Sequence, residues 1–230
     1  MTQFVIPGTP EVEVVLRRSA GARRFSLRVS RIDGRVTLTL PRFAREAEAR
    51  AFAHDKADWL REVLATMTSV RRVRLGMTLP FQGQDLLIEA GAVRAPRIEG
   101  ASLIVPPDAE RVGARVEAFV KLAARQQLQG ATDRYAATLR RSYRRLTLRD
   151  TRSRWGSCTS DGSLMYNWRL ILAPRGVLEY VAAHEVAHLV EMNHSAAFWA
   201  VVERLRPGHA PERAWLKRHG SALHAVRFRD

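Results

Sequence analysis

His184-Glu185-Val186-Ala187-His188 is an HExxH pentapeptide, and a third histidine, His194, follows six residues later. Residues four apart on a helix differ by roughly 40° in azimuth, so His184 and His188 stand one above the other on one face and can hold a single metal ion. Glu185 lies roughly 100° round the helix from the first ligand, beside the metal, where it can take a proton from water. Three neutral imidazoles suit Zn2+ and leave one position for water, whose pKa the metal lowers. The implied chemistry is peptide hydrolysis by a zinc-activated water with Glu185 as general base and one zinc per chain. The competing account is a core helix whose histidines are merely packed or exposed. The setting argues against it, because the stretch from Val177 to Ala183 runs helically into Leu189 and Val190, with Pro174 and Gly176 at its start.

A hairpin is expected just before that helix. Arg154-Trp155-Gly156-Ser157-Cys158 and the run from Leu164 to Leu172 flank Asp161-Gly162, a tight-turn pair. One of its strands is the candidate edge for holding an extended peptide by main-chain hydrogen bonds. Tyr166, Asn167 and Arg169 are the candidate substrate contacts, although Trp155, Tyr166 and Trp168 read equally well as core aromatics. Cys158, the single cysteine, excludes an internal disulfide and fits a reducing compartment; the histidine site leaves it little to do as a nucleophile.

The rest of the chain must position these residues. Its 230 residues, 46% hydrophobic, suit one large domain or two small ones. Glu11 to Arg17, Phe25 to Ser30 and Val36 to Leu40 alternate like strands, with Asp33-Gly34 as a hairpin turn, and predict a small antiparallel sheet. A long helix is expected from Arg42 to about Thr68, with Phe43, Ala47, Ala51, Trp59, Leu60, Val63 and Leu64 as its apolar stripe. Short strands follow at Met77 to Glu89 and Arg97 to Val105. Pro106-Pro107 marks the expected boundary between a β-rich region, 1–105, and a catalytic domain, 106–230. Asp108 should cap a helix with Val112, Val116, Phe119, Val120 and Ala123 buried; Gly130 should end it, and a second helix should run from Ala131 to about Ser142. No internal repeat is visible.

The net charge of +15 raises the question of an anionic partner. The basic residues are almost all arginine, which is compositional bias, but Arg140, Arg141, Arg144, Arg145, Arg149, Arg152 and Arg154 crowd one stretch. Arg140, Arg141, Arg144 and Arg145 are therefore candidate nucleic-acid contacts, against the plainer reading of a solvated basic face. No apolar run approaches a membrane span, and the N-terminus carries no basic region or long apolar segment of the secretory kind, so a cytoplasmic location is expected.

Taken in order, Arg154-Trp155-Gly156-Ser157-Cys158, Asn167-Trp168-Arg169-Leu170, Ala173-Pro174, Tyr180-Val181, His184-Glu185, His188 and Asn193-His194-Ser195 with Phe198-Trp199 closely resemble the YgjP-like metallopeptidase family, relatives of the SprT and Spartan zinc proteases. The likeness is strong from Arg154 to Trp199 and looser over most of the chain, including Arg17-Arg18-Ser19 and the stretch from Arg24 to Leu40. It implies an α+β fold with a zincin-like core, an active-site helix beside a β-hairpin, and zinc held by His184, His188 and His194. It also places the third histidine at the start of a following helix. The spacing of His194 matches the metzincin pattern too, but metzincins need a glycine where this chain has Glu191. Should the third ligand lie elsewhere, Glu191 and His209 are next; His54, His219 and His224 read as ordinary histidines. Two alternatives to a plain peptidase stay open: a DNA-associated protease of the SprT and Spartan kind, and a basic nucleic-acid-binding protein with a structural zinc.

Overall fold

Strands with one buried face follow from the alternation near the N-terminus. The computed structural model, which describes residues 2–30, 33–65 and 70–229, contains them. Two compact units make up the chain, Met1–Val70 and Arg71–Asp230. In the first, β1 (Gln3–Ile6), β2 (Val12–Ser19), β3 (Ser26–Val29) and β4 (Val36–Pro41) form a sheet of order β1-β2-β4-β3. Each outer strand pairs antiparallel with its neighbour, but β2 and β4 run parallel, so the sheet is mixed rather than antiparallel. Turn residues encode only local hairpins. The central pairing is set by burial, which places Val14 opposite Val36 and Leu16 opposite Leu38, all four inside the core.

The expected long helix is two, α1 (Glu46–Asp55) and α2 (Ala57–Ala65), parted at Lys56, where the backbone leaves helical geometry. Positions 66–68 lie outside the described residues. Ala49, Ala53 and Leu60 are the buried residues, whereas Phe43, Ala47, Ala51 and Trp59 are exposed, so the expected stripe holds at Leu60 and is displaced along α1.

The second unit begins with β5 (Arg71–Arg72) and a sheet of order β6-β7-β9-β8, built from β6 (Thr78–Phe81), β7 (Gln84–Ala90), β8 (Arg97–Glu99) and β9 (Ser102–Val105). It repeats the topology of the first sheet, two antiparallel hairpins joined by a parallel central pair. Leu79, Leu86, Ile88, Leu103 and Val105 share one core with Val112, Val116 and Val120 of α3 (Val112–Leu139). Hence no division falls at Pro106; the units part at Val70.

Helix α3 passes straight through Gly130. An interior glycine costs a helix about 1 kcal/mol relative to alanine, and the buried Ala124, Leu128, Ala131 and Ala136 on either side outweigh it. The helix ends at Arg140, which adopts left-handed geometry (φ 52°, ψ 42°). Asp108 makes no side-chain cap; its carboxylate pairs with Arg115 at 3.3 Å.

Beyond α3 lie β10 (Arg145–Arg149), β11 (Gly156–Cys158) and β12 (Ser163–Asn167), in sheet order β10-β12-β11, with β10 parallel and β11 antiparallel to the central strand. The expected hairpin is β11–β12, and Gly162 takes the positive φ (76°) of its turn. A short 3₁₀ helix, Trp168–Leu172, leads to α4 (Arg175–Ala187), followed by α5 (Ala196–Leu205), α6 (Ala210–Leu223) and β13 (Val226–Arg227), which pairs with β5. Among the described residues no helix is long and apolar enough to cross a membrane.

Candidate metal centre

Helix α4 is apolar nearly all round: Val177, Leu178, Val181, Ala182, Ala183, Val186 and Ala187 are buried. Such a helix is fixed in rotation, because every turn of it is packed. His184 and Glu185 sit in its last turn and His188 is its C-cap. The chain then turns, with the N–H groups of Val190 and Glu191 donating to the Ala187 carbonyl. Ser195 caps α5 by accepting from Phe198 N, which leaves His194 just ahead of that helix.

This route brings the three imidazoles together. Their ligand atoms lie within 4.8 Å of one another, and they are the set among the described residues that could hold a metal ion. His184 Nε2 is 3.0 Å from His194 Nε2, close to the separation of about 3.3 Å between two donors on one tetrahedral zinc ion. His188 Nδ1 is 3.0 Å from the Glu191 carbonyl; donating its proton there keeps Nε2 as the free lone pair, the arrangement metal-binding histidines require. Burial pushes the His184 imidazole down to about 3, with His188 and His194 adding to the effect, and burial lowers His188 as well. The neutral form, which binds metal, is thereby favoured.

Phe198, fully buried, is the floor of this site. Its ring centroid lies 4.9, 4.4 and 4.7 Å from those of His184, His188 and His194. The sequence named Phe198 only among the residues of the family resemblance; its place four residues beyond His194, one helical turn along, was the available signal for its role beneath the imidazoles. Of the alternative ligands, His209 is turned away, its Nδ1 3.0 Å from Glu203 and its ring stacked on Tyr180 and Trp199. Glu191 contributes its carbonyl to His188 and is not in the ligand set.

Glu185 is 5% exposed. Burial pushes its carboxyl up to about 8, opposed by the positive charge of Arg154. Strand β11 passes directly over it: a Cβ at Gly156 would lie 2.7 Å from Glu185 Cδ and closer still to its Oε1 and Cγ. Only a residue without a side chain permits that approach. Cys158, next but one along β11, has its thiol pushed up to about 11 by burial, with Glu185 and Asp161 reinforcing the shift, so it stays protonated and unreactive.

Strand β11 is also an edge. Trp155 O accepts from Asn167 N, and Thr159 N donates to Ser163 O. By the alternation of antiparallel ladders, Ser157 is bonded to β12 as well, and the main-chain groups of Gly156 and Cys158 point to the open side of the sheet.

The three residues expected to meet substrate do not line this space. Tyr166 is fully buried and accepts from Thr132 Oγ1 at 3.1 Å. Asn167, also buried, caps the 3₁₀ helix by accepting from Arg169 N and donates to Thr151 O. Arg169 forms a bidentate pair with Asp150 at 2.7 and 3.0 Å and donates to the carbonyls of Leu223 and Val226. They are framework: Arg169 ties the C-terminal segment to the rest of the unit. Replacing it with methionine would strip two carbonyls and a carboxylate of their donor, and we predict a loss of about 3 kcal/mol, read from the urea midpoint, with the metal site still assembled in the folded fraction.

Of the four candidate nucleic-acid residues, Arg144 is engaged by Asp161 at 2.6 Å, Arg140 and Arg141 line a groove that includes His188, and Arg145 lines a second groove that shares Thr159 with it.

No match is found among curated proteins. Among solved structures, the metallopeptidase zymogen abylysin of Pyrococcus abyssi is 18% identical, covering 44% of this chain and 98% of its own, at a TM-score of 0.37, a likeness too remote to build on. The decisive match is to a family described as "YgjP-like, metallopeptidase domain", over residues 23–219, which contain both the histidine cluster and the sheet beside it. This chain, with three imidazoles converging beside a buried glutamate, belongs to the YgjP-like metallopeptidase family.

Proposed function

We propose that the protein is a zinc-dependent endopeptidase in which His184, His188 and His194 hold the metal and Glu185 is the general base. The observation that carries this reading is the convergence of three imidazole donors within 4.8 Å, next to a carboxyl buried under an open sheet edge. Closed structural zinc sites take four protein ligands, whereas three suit a catalytic site. Zinc, when bound, supplies Lewis acidity that makes water more acidic and a carbonyl more electrophilic.

The chain's own residues do the rest. Glu185 takes the proton of the attacking water at its carboxylate and returns it to the departing amine nitrogen. Phe198 and the packed faces of α4 and α5 fix the imidazoles and exclude solvent from beneath them. Gly156 and Cys158 offer main-chain donors and acceptors to an extended peptide, in the strand-addition mode.

The test is metal content with turnover. Protein purified without a histidine tag is expected to carry about one zinc per chain, to cleave an unfolded protein such as reduced casein, and to lose that activity on chelation and regain it on adding zinc. In His194→Ala, removal of one of three ligands should weaken zinc binding at least about 100-fold, measured by competition with a chromogenic chelator. Full zinc occupancy in that variant would take His194 out of the ligand set; no zinc in the parent after reconstitution would end the proposal.

A further inference from the structure

The face of the β10–β12–β11 sheet turned away from Glu185 has a composition the proposed chemistry does not use. Along β10, Leu146 and Leu148 point inward, and Arg145, Thr147 and Arg149 occupy the other face. Register places Ser163 opposite Arg145, Met165 opposite Thr147 and Ser157 opposite Met165, so the same face continues across to the edge strand. These residues, with Arg154 at the β11 end, line a groove of about 360 Å³ in which none of the described lining residues is acidic. Among the described residues Arg145 and Arg149 pair with no carboxylate, and Arg154 makes no ion pair, although its charge reaches Glu185. Asp161, at the turn, is occupied by Arg144, Thr159 and Ser163. The groove is thus a cationic surface lined with hydroxyls, with no counter-ion among its described lining residues.

Its position says what would use it. Side chains on a strand alternate between faces, and residues opposite one another on adjacent strands share a face. A peptide added to the open edge of β11 would present the residue opposite Gly156 toward Glu185, and the residue opposite Ser157 toward the groove. We infer that this groove is a specificity site for acidic side chains of the substrate, read at alternate positions of a peptide lying along β11. This rests on the peptidase reading for its substrate. A carboxylate one strand away, about 4.8 Å, is within reach of the Arg154 and Ser157 side chains, and Arg145 and Arg149 deepen the positive field beyond them. A nucleic-acid strand could use the same charges, but nothing in the groove offers an exposed aromatic ring for base stacking.

Two measurements separate the outcomes. Digestion of a proteome-derived peptide library by the zinc-loaded protein should enrich Asp and Glu about tenfold at positions two residues apart around the cleaved bond, and the Arg145→Gln/Arg149→Gln double variant should lose much of that ratio. Binding is read independently of turnover by fluorescence anisotropy on zinc-loaded Glu185→Gln, with labelled peptides carrying Glu or Ala at alternate positions; the Glu peptide should bind about tenfold tighter, less so at high salt. Cleavage or binding without acidic preference overturns the proposal. It is also overturned if a single-stranded DNA 20-mer binds, loses affinity in the double variant, and acidic peptides show no advantage. Acidic preference in binding with no cleavage by the zinc-loaded parent would sustain the groove and defeat the peptidase reading alone.

Discussion

Glu185→Gln should lower kcat by about 10²–10⁴-fold while zinc stays bound. Glutamine has the same shape and fits the space under Gly156, so the imidazoles, held by α4, Phe198 and the Glu191 carbonyl, have no reason to move. What is lost is one property, the capacity to accept and return a proton. Stability gives a second reading of the same substitution. Burial raises the Glu185 carboxyl to about 8 in the folded protein, whereas an unfolded chain ionises near 4.3. The folded state therefore binds the proton more tightly, and in metal-free protein the stability contributed by this group is lost as pH rises from the lower value through the higher one. Glutamine does not ionise, so metal-free Glu185→Gln should hold its melting temperature at pH 8 where the parent has lost part of its own. Retained turnover in the zinc-loaded variant removes Glu185 as the base.

How much of this was written in the order of residues differs from part to part of the site. His184 and His188 were legible because an i, i+4 spacing on a helix is a local fact, and α4 is a helix for local reasons too: a proline at its start and apolar residues all round. His194 was not local. Its approach to His184 depends on the turn after α4 and on Ser195 starting a new helix; its place six residues beyond the pentapeptide made it a candidate, and the family resemblance placed it at the start of that helix. Tyr166, Asn167 and Arg169 misled because nearness to the site was taken for access to it: Tyr166 lies opposite Gly156 on the central strand but is wholly buried, and Asn167 and Arg169 spend their polar groups on the 3₁₀ helix, Asp150 and the C-terminal segment. The same limit explains the first sheet, where Asp33-Gly34 announces a hairpin but nothing local announces that β2 and β4 run parallel. Gly130 failed as a helix end because a propensity of about 1 kcal/mol is outweighed by buried side chains on both sides of it.

Gly156 was the least legible of all, since a glycine required by what lies beneath it looks like any other in a strand. The structure turns it into a strong expectation. In Gly156→Ala the new methyl would fall within 2.7 Å of the Glu185 carboxyl carbon, so either β11 lifts away or the carboxylate swings aside. A displacement of about 1 Å at a catalytic group is enough to cost about 100-fold in rate, and that is the fall expected in kcat. Zinc binding should be unchanged, because neither Gly156 nor β11 supplies a ligand. The cause can be isolated by removing the atoms that clash. Glu185→Ala keeps nothing at the Cγ, Cδ and Oε1 positions that the new methyl would meet, so in metal-free protein Gly156→Ala should destabilise the Glu185→Ala variant far less than it destabilises the parent, a coupling between contacting residues that a double-mutant cycle on the urea midpoint measures directly. Equal, independent losses in the two backgrounds would mean that Gly156 serves the strand alone, and that the close approach of β11 to Glu185 has no part in holding the base.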